Sequence, residues 1–334
     1  MRVLVTGAAG FLGRAVVRAA HAAGHDVVAM VRPTALGADT GPSLPWSDLP
    51  IQVVGADLRQ PGPWVDEIDG VDAVVHVAAA TSGDLPAQFA GTVTATENLL
   101  RALSTRSLRR MVHVSSFSVY DYTAVPVGGL LDERTPLEPL PRRRDAYTTT
   151  KLWQERLVRE ACEQAEHPLV VVRPGMIYGP GSDWDHGAAF SSPHLAFVFS
   201  PAAPFRLVHV TNCADAMVLS LTAEVASGST FNLVDDDLPT HMEYFRACRS
   251  AGLTRRRAVP VPWRIIESVG RSTDLLDRQI PGRHLKLPEL LELRRQRARW
   301  KPLRYTNEHA KRSLEWVPKV QMADAVIAME KESG

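Results

Sequence analysis

The sequence predicts an α/β fold, in which a Rossmann-type, doubly wound parallel sheet is followed by a smaller, mostly helical C-terminal region that binds substrate. Two observations support this prediction. Short apolar runs alternate with longer helical patterns through the first half of the chain, as expected for strands buried between two layers of helices. A glycine-rich segment, residues 7–13, follows the first run directly and opens the first helical pattern, as in dinucleotide-binding folds.

The individual elements follow from the spacing of apolar residues and from the turn residues between them. Val-rich runs predict strands at residues 3–6, 26–31, 51–54, 73–77, 111–115 and 169–173. Helical patterns between them predict helices at 13–23, 92–104 and 148–165. Gly and Pro residues then mark a loop-rich stretch, after which strands at 207–210 and 231–234 are predicted to return to the sheet around a helix at 214–221. Further helices are predicted at 242–251, 263–276, 287–297 and 307–314.

This pattern divides the chain into two regions. Residues 1–175, with 207–237 returning to them, are predicted to form the dinucleotide-binding Rossmann domain. Residues 176–206 and 238–334 are predicted to form the substrate-binding region. The 334 residues are enough for one large domain or for two smaller ones, and a sizeable core is easily built.

Composition and charge argue against several classes of function. The 38 Lys and Arg residues nearly balance the 37 Asp and Glu residues, so the net charge of +1 gives no electrostatic reason to expect a nucleic-acid partner. The three scattered cysteines lack the spacing of metal ligands or of a disulfide framework, and no metal is expected. No apolar run is long enough for a membrane span, and the strand-like N-terminus leaves no room for a secretion signal. The sequence predicts a soluble, cytoplasmic protein that acts on a small molecule.

The glycine-rich segment has the Gly-x-x-Gly-x-x-Gly spacing of a phosphate-binding turn. Glycines allow a sharp turn and a close approach of the backbone to a pyrophosphate, whose charge is met by the N-terminus of the following helix. Because this segment lies at a strand–turn–helix junction, where the mechanism requires it, dinucleotide binding is predicted. The predicted cofactor contacts in this turn are Gly7, Ala9, Gly10, Phe11, Leu12 and Gly13.

Arg32 follows the second predicted strand, at the position that normally contacts the adenosine ribose. An acidic residue here would bind the 2′-hydroxyl of NAD, whereas a guanidinium pairs with the 2′-phosphate of NADP. NADP is therefore the preferred cofactor. NAD stays possible, because an exposed arginine at the start of a loop is the alternative interpretation of Arg32.

Tyr147 and Lys151 are four residues apart in a predicted helix, which places the phenol and the ammonium on one face. A free tyrosine has a pKa of about 10 and is a weak base at neutral pH, but a neighbouring cation or a hydrogen bond favours the phenolate. The pair therefore predicts that Tyr147 serves as an acid or a base. The alternative is an exposed Tyr and Lys on a helix surface, since so short a pattern recurs by chance.

With these motifs in order, the chain resembles the extended short-chain dehydrogenase/reductase family, also called the NAD-dependent epimerase/dehydratase family, over nearly its whole length. Segment 114–120 is similar to the family's serine motif and places the catalytic hydroxyl at Ser116 rather than Ser115. The resemblance implies that Ser116, Tyr147 and Lys151 are catalytic, and that Tyr147 and Lys151 also contact the cofactor. It implies a homodimer packed through the helices at 92–104 and 148–165. Further cofactor contacts are implied at Asp57, Leu58, Val77, Ala78, Ala79, Pro174, Gly175 and Met176.

The resemblance leaves several reactions open, because family members oxidise, reduce, epimerise or dehydrate with the same core. The family's sugar dehydratases have an acidic pair directly after the catalytic hydroxyl, whereas Phe117 and Ser118 stand there in this chain, so dehydration is not expected. Segment 181–204 is poor in cations and contains several large apolar residues, which favours an apolar substrate: Phe190, Leu195, Phe197, Val198 and Phe199. Arg206 is the one nearby cation. The chain looks nearer to the members that resemble 3β-hydroxysteroid dehydrogenases and reductases.

The preferred interpretation is an NAD(P)-dependent oxidoreductase that transfers a hydride between nicotinamide and a secondary alcohol or ketone. Tyr147 would move the hydroxyl proton, Ser116 would orient the substrate oxygen, and Lys151 would stabilise the phenolate. One alternative is a nucleotide-sugar 4-epimerase with tightly bound NAD, and another is a non-catalytic NADP-binding regulatory protein. His76, His113 and His209 are expected to be satisfied interior histidines, because carboxylate partners and metal-ligand spacing are absent around them.

Overall fold

The computed structural model describes residues 1–35, 44, 46–182, 188–279 and 292–333. Its strands are β1 (Arg2–Thr6), β2 (Asp26–Val31), β3 (Gln52–Gly55), β4 (Ala73–His76), β5 (Arg110–Val114), β6 (Leu130–Leu131), β7 (Leu169–Pro174), β8 (Met176–Tyr178), β9 (Phe190–Ser191), β10 (Leu195–Phe199), β11 (Leu207–His209), β12 (Ser229–Leu233), β13 (Arg257–Val261) and β14 (Arg304–Tyr305). Its helices are α1 (Phe11–Ala22), α2 (Trp64–Glu67), α3 (Leu85–Phe89), α4 (Ala95–Leu103), α5 (Ala146–Gln164), α6 (Val210–Leu219), α7 (His241–Ser250), α8 (Trp263–Gln279), α9 (Leu293–Trp300), α10 (Glu308–Leu314) and α11 (Met322–Ser333).

A seven-stranded parallel sheet in the order β12-β7-β5-β4-β1-β2-β3 forms the centre of the molecule. The chain winds outward in one direction from β1 through β2 to β3, and in the other from β4 through β5 and β7 to β12. The direction reverses between β1 and β4, and ligands of open α/β sheets bind outside the carboxyl ends of the strands at such a point. The predicted doubly wound Rossmann fold is confirmed.

Helices cover both faces of this sheet, which explains why its strands are almost wholly apolar. Alternate residues along each strand point to opposite faces, so Val3 and Val5 pack in one core and Leu4 packs in the other. The first core is closed by α1, α6 and α10, and the second by α2, α4 and α5. Both clusters consist mainly of fully buried Val, Leu and Ala side chains.

The predicted helix at 92–104 begins differently from the expectation. A π-helical turn, Ala90–Thr94, links α3 to α4, so that α3, the turn and α4 follow one another without a break. Such turns are rare and often lie at functional sites. The Thr92 hydroxyl in this turn accepts a hydrogen bond from the Ala80 backbone N–H at 2.9 Å. The turn therefore supports the segment after β4, where cofactor contacts are predicted.

The prediction that residues 207–210 return to the main sheet is wrong. β11 pairs in parallel with β8 and forms a separate two-stranded sheet, while β12 alone joins the main sheet beside β7. The physical reason is that β7 already has β5 and β12 as neighbours. The chain therefore continues past β7 into β8, and β11 pairs with that continuation.

The region after residue 175 also contains more strand than predicted. β10 lies in the stretch predicted as loop and pairs with β9 and with β13, which interrupts the predicted run of C-terminal helices. α7, α8 and α10 lie where helices were predicted, and α9 overlaps the predicted helix at 287–297, of which residues 287–291 lie outside the described residues. α11 was not predicted.

Candidate functional site

The carboxyl ends of the central strands bring the predicted cofactor residues to one edge of the sheet. Gly7 follows β1, Arg32 follows β2, Asp57 lies two residues after β3, and Val77 follows β4. Ser116 lies just after β5, and the predicted segment 174–176 lies where β7 ends. Parallel strands end on the same side of a sheet, so residues far apart in sequence line one crevice.

The glycine turn is shaped as a cradle that side chains would fill. Gly7 has a positive φ of 66°, and a Cβ atom on it would lie 2.9 Å from the Cα of Ala78. A Cβ on Gly13 would lie 2.1 Å from the carbonyl oxygen of Gly7, a distance too short for two non-bonded atoms. α1 begins at Phe11 directly after the turn, so its first N–H groups face the crevice entrance. This geometry fits a dinucleotide pyrophosphate.

Arg32 is exposed after β2, on the side of the crevice where an adenosine ribose would lie. Asp57 lies within electrostatic reach of it, but the Arg59 guanidinium pairs with that carboxylate at 2.6 Å. A hydrogen bond from Arg59 is the largest cause of the lowered pKa of Asp57, and the charge of Arg32 contributes least. Asp57 is therefore already neutralised, and the charge of Arg32 remains available to an anion.

The three predicted catalytic residues meet at the junction of β5 and α5. The Asp145 carboxylate caps α5 by accepting from the Thr148 backbone N–H at 2.6 Å, which fixes the first turn that carries Tyr147. The Ser116 hydroxyl lies beside the Tyr147 hydroxyl, close enough to lower the pKa of the phenol. Lys151 follows one turn later and is almost fully buried beneath them. The structure thus brings the predicted trio together.

Lys151 is not among the groups that shift the pKa of Tyr147, so the expectation that it favours the phenolate stays a prediction. Burial raises the pKa of Tyr147, and the neighbouring Ser116 hydroxyl opposes this only in part. The ammonium of Lys151 is directed elsewhere, since its Nζ atom donates to the Val114 carbonyl at 2.5 Å and to Gln154 Oε1 at 2.6 Å. Burial lowers the pKa of Lys151 to about 7, although the charge of Glu155 opposes the shift.

Gln154 is a site residue that the sequence analysis missed. While its Oε1 atom accepts from Lys151, its Nε2 atom donates to the Ala78 carbonyl at 3.0 Å and to Thr96 Oγ1 at 2.8 Å. The residue is fully buried, and it joins the predicted catalytic lysine to the segment predicted to line the cofactor. Its position three residues after Lys151, on the same helix face, was the available signal.

Ser115 and Ser116 have separate roles in the structure. The Ser116 Oγ atom accepts from the Ser118 backbone N–H at 3.1 Å and lies beside Tyr147. Ser115 instead donates to the buried Glu155 carboxylate at 2.6 Å, in a network that also includes Arg173. The geometry therefore agrees with the choice of Ser116 over Ser115.

Glu155 is expected to contribute pH-dependent stability. Burial raises its pKa, but the hydrogen bonds and charges of Arg173, Ser115 and Arg159 outweigh this and lower the pKa to about 2. Because the folded-state pKa lies below the unfolded value of about 4.3, this stability is present above the unfolded pKa and is lost as pH falls towards 2. Glu155→Gln should lower the free energy of unfolding at neutral pH by about 3 kcal/mol or more, since it leaves buried guanidinium groups unpaired.

Urea denaturation of the wild type and Glu155→Gln, measured at a series of pH values, checks this expectation. Glu160→Gln is a matched control, because Glu160 is an exposed residue of the same helix that pairs with Arg156. The difference between wild type and Glu155→Gln should shrink as the pH is lowered. A difference that does not depend on pH would contradict the assigned ion pairs.

The interior histidines only partly agree with expectation. His76 is satisfied, because its ring contacts Thr6 Oγ1 at 2.7 Å and Thr96 Oγ1 at 2.8 Å, and burial lowers its pKa to about 3. The His209 ring accepts from the Thr211 backbone N–H. His113 departs from expectation, since neither ring nitrogen has a hydrogen-bond partner in the part of the chain that the structure describes, although the side chain is fully buried against His76.

Three features of the described part of the chain concern metal ligands, cysteines and membrane helices. Within it, no group of three or more His, Cys, Asp or Glu side chains is placed to hold a metal ion. The three cysteines are buried as free thiols. None of the helices in these residues combines the length and apolar character that crossing a bilayer requires.

Comparison with known proteins decides the family. The model of the NAD dependent epimerase/dehydratase family matches residues 3–233, from the first strand to the end of β12. The chain belongs to this family. The match includes the glycine turn, Ser116, Tyr147 and Lys151, and it ends where the central sheet is complete.

The curated relatives include reductases and 3β-hydroxysteroid dehydrogenases. The chain is 31% identical over 186 residues to a 2-alkyl-3-oxoalkanoate reductase of Stenotrophomonas maltophilia, covering 54% of this chain and 52% of the reductase. It is 32% identical over 189 residues to a 3 beta-hydroxysteroid dehydrogenase/Delta 5-->4-isomerase of Mycobacterium tuberculosis, covering 54% of this chain and 48% of that protein. The chain thus matches about half the length of these two relatives.

Solved structures extend the similarity of fold to the whole chain. UDP-glucuronic acid 4-epimerase of Bacillus cereus, solved in complex with NAD, superposes with a TM-score of 0.71, covering 99% of this chain and 98% of the epimerase. The identity is 18%, so this likeness concerns the fold alone. Together the comparisons place the chain in the NAD dependent epimerase/dehydratase family, also called the extended short-chain dehydrogenase/reductase family.

Proposed function

We propose that this protein is an NADP-dependent oxidoreductase that transfers a hydride between nicotinamide and a secondary alcohol or ketone on a relatively apolar substrate. The observation that carries the proposal is the meeting of the Ser116 and Tyr147 side chains, with Lys151 buried one helical turn away, at the same sheet edge as the glycine cradle. A donor to the substrate oxygen and a proton-transfer group are what carbonyl reduction requires.

Each member of the trio has a separate task in this mechanism. Tyr147 gives its hydroxyl proton to the carbonyl oxygen during reduction and takes it back during oxidation. Ser116 donates a hydrogen bond to the substrate oxygen and stabilises its developing charge. Lys151 supplies positive charge beside the phenolate and would hold the nicotinamide ribose. NADP, when bound, supplies or accepts the hydride.

The preference for NADP rests on Arg32 and on the pairing of Arg59 with Asp57. Arg32 is exposed at the end of β2, where it would contact the 2′-phosphate, and the Asp48 carboxylate of the following loop is paired with Arg18 at 3.5 Å. The Arg59 guanidinium pairs with the Asp57 carboxylate at 2.6 Å and neutralises it. The charge of Asp57 therefore does not oppose a phosphate in this part of the crevice. Residues that would hold the remainder of the cofactor are those of the glycine turn and of segments 57–58, 77–79 and 174–176.

The substrate proposal draws on the aromatic content of the region after β8 and on the relatives. Phe190, Phe197 and Phe199 lie on β9 and β10, and the Phe190 and Phe197 rings contact each other. The reductase and the steroid dehydrogenase to which the chain is similar are named for 3-oxo and 3-hydroxy compounds with apolar parts. A ketone or secondary alcohol on an aliphatic or alicyclic skeleton is the class that this proposal favours.

A homodimer stays a prediction for this protein. Trp153 on α5 is 47% exposed and Phe89 on α3 is 41% exposed, although both are large apolar side chains. α3 and the π-helical turn pack against α5, so these exposed residues belong to the helix layer that the family resemblance assigns to subunit contact. A second copy that packs on this layer would cover them.

The cofactor content and turnover of the purified protein test the proposed function. After desalting, the protein should hold little cofactor, and it should oxidise added NADPH when it is given apolar cyclic or medium-chain ketones. Retained NAD with epimerisation of a UDP-sugar and no NADPH consumption would contradict the proposal and identify a nucleotide-sugar 4-epimerase. Tight NADPH binding without turnover of any carbonyl compound would instead support a regulatory protein.

A further inference from the structure

Two arginines share one buried tyrosine ring beside the candidate active site. The guanidinium carbon of Arg144 lies 5.6 Å from the centre of the Tyr122 ring, and that of Arg206 lies 5.5 Å from the same centre. Tyr122 itself is fully buried. Cation–π contacts of this kind hold guanidinium groups in place without neutralising their charge. We call Arg144, Tyr122 and Arg206 the arginine pair site.

The arginine pair site touches all three segments that carry the proposed chemistry. The Tyr122 hydroxyl donates to the Phe117 carbonyl at 3.1 Å, next to Ser116. The Arg144 guanidinium contacts Thr148 Oγ1 at 3.4 Å, next to Tyr147. The Arg206 carbonyl accepts from the Met176 backbone N–H at 2.7 Å, within the segment predicted to lie beside the nicotinamide. The site therefore lies next to the reacting centre.

Arg144 is buried, and its ion pair and hydrogen bonds are long. It is only 4% exposed, yet its contacts with Glu138, with the Tyr120 carbonyl and with Thr148 all measure 3.4 to 3.5 Å. Within the described residues, its Nε atom has no hydrogen-bond partner. Glu138 is held more closely by Arg294, at 2.5 Å. A buried guanidinium so loosely paired retains unused hydrogen-bond donors.

Arg206 has no carboxylate partner among the residues that the structure describes. Its side chain lies close to the Tyr305 hydroxyl and packs on the ring of Tyr122, whose phenol stays neutral at ordinary pH because burial raises its pKa to about 12. A mostly buried cation without a counter-ion is costly unless a ligand supplies the charge. Arg206 therefore has the electrostatic character of a ligand-binding group.

The charges around the site leave an excess of one cation. The positive groups are Arg144, Arg206, Arg294, Arg297 and Lys301, and the carboxylates that face them are Asp121, Glu138, Asp145 and Glu267, which pairs with Arg297. One uncompensated positive charge matches a singly charged ligand. A diphosphate carries more negative charge than this site offers to neutralise, so the balance favours a carboxylate, which also suits the fork of an arginine.

We infer that Arg206, assisted by Arg144, binds a carboxylate on the substrate, so that the physiological substrate is an oxo acid or hydroxy acid with an apolar skeleton. This inference rests on the proposed function for the reacting ketone or alcohol, and adds the group that orients it. A carboxylate held next to Ser116 and Tyr147 would fix the distance and the face at which the substrate oxygen meets both hydroxyls.

The test compares straight-chain oxo acids, with the ketone at successive carbons, against their methyl esters, which carry the same ketone without the charge. Wild-type protein should have a higher kcat/KM for one of the acids than for its ester. Arg206→Gln should lower kcat/KM for that acid by roughly 10- to 100-fold, as expected for a lost charge-assisted hydrogen bond. The loss of kcat/KM should be much smaller for the ester, and Arg206→Lys should restore part of the preference for the acid.

The exposed Arg304 beside Tyr305 provides a matched control. Arg304→Gln should keep the wild-type ratio of kcat/KM for acid and ester.

The inference would be overturned if Arg206→Gln lost kcat/KM equally for the acid and the ester, or if it kept the wild-type preference for the acid. A binding measurement separates this outcome from failure of the proposed function. Decanoate, which has no ketone, should raise the melting temperature of the NADPH-loaded wild type and not that of Arg206→Gln. If no ketone is reduced but this difference holds, the carboxylate site stands and the reductase proposal fails. If ketones are reduced and decanoate has no effect on either protein, the carboxylate site fails alone.

Discussion

Replacing Tyr147 with Phe is expected to abolish turnover while leaving the affinity for NADPH nearly unchanged. The substitution keeps the ring that packs at the start of α5 and removes only the hydroxyl that lies beside Ser116. A general acid of this kind contributes roughly 10²- to 10⁴-fold to the rate, so kcat should fall by about that factor. Steady-state rates and fluorescence titration with NADPH measure the two quantities separately.

The neighbouring serines supply a matched control for Tyr147→Phe. Ser116→Ala removes the hydroxyl beside Tyr147 and should lower kcat, whereas Ser115→Ala removes a partner of Glu155 and should lower stability with little change in kcat. Substantial residual activity in Tyr147→Phe would refute its role in proton transfer. Equal loss of kcat in both serine variants would show that the proposed division between them is wrong.

Arg32→Asp is expected to raise the Michaelis constant for NADPH far more than that for NADH. The substitution replaces a guanidinium that would pair with the 2′-phosphate by a carboxylate that repels it and that can bind a 2′-hydroxyl. Loss of a charge-assisted contact alone is worth roughly 10- to 100-fold. Initial rates with each cofactor, at fixed ketone concentration, give the ratio directly.

Arg32→Gln separates the lost attraction from the added repulsion. Arg32→Gln should raise the Michaelis constant for NADPH less than Arg32→Asp does, and it should leave the Michaelis constant for NADH nearly unchanged. If both substitutions change the constants for NADPH and NADH equally, the assignment of Arg32 to the 2′-phosphate fails, and the exposed-loop interpretation of this residue is preferred.

The central sheet could be predicted from the sequence because its strands are buried on both faces and therefore read as continuous apolar runs. The run at residues 26–31, for example, matches β2 along its whole length. β10 and β13 could not be predicted in the same way. Their residues become a sheet only through pairing with each other across a long sequence separation, and no local pattern specifies that contact.

The candidate site could be predicted as a set of residues but not as a set of interactions. The four-residue offset of Tyr147 and Lys151 correctly placed both on α5, yet it could not give the direction of the ammonium, which depends on the Val114 carbonyl and on Gln154. Burial, and not Lys151, has the largest effect on the pKa of Tyr147. Likewise, Arg206 could be noticed as a nearby cation, but its position against Tyr122 needed the fold.

The most direct test of the proposed chemistry follows the hydride itself. NADPH labelled with deuterium at the transferring position, incubated with the protein and a ketone that it reduces, should yield an alcohol with one deuterium on its carbinol carbon. One NADPH should be oxidised for each alcohol formed, and Tyr147→Phe should form none. If the protein instead interconverts a sugar with no net oxidation of NADPH and no deuterium in the product, hydride exchange with a free nicotinamide cofactor is contradicted.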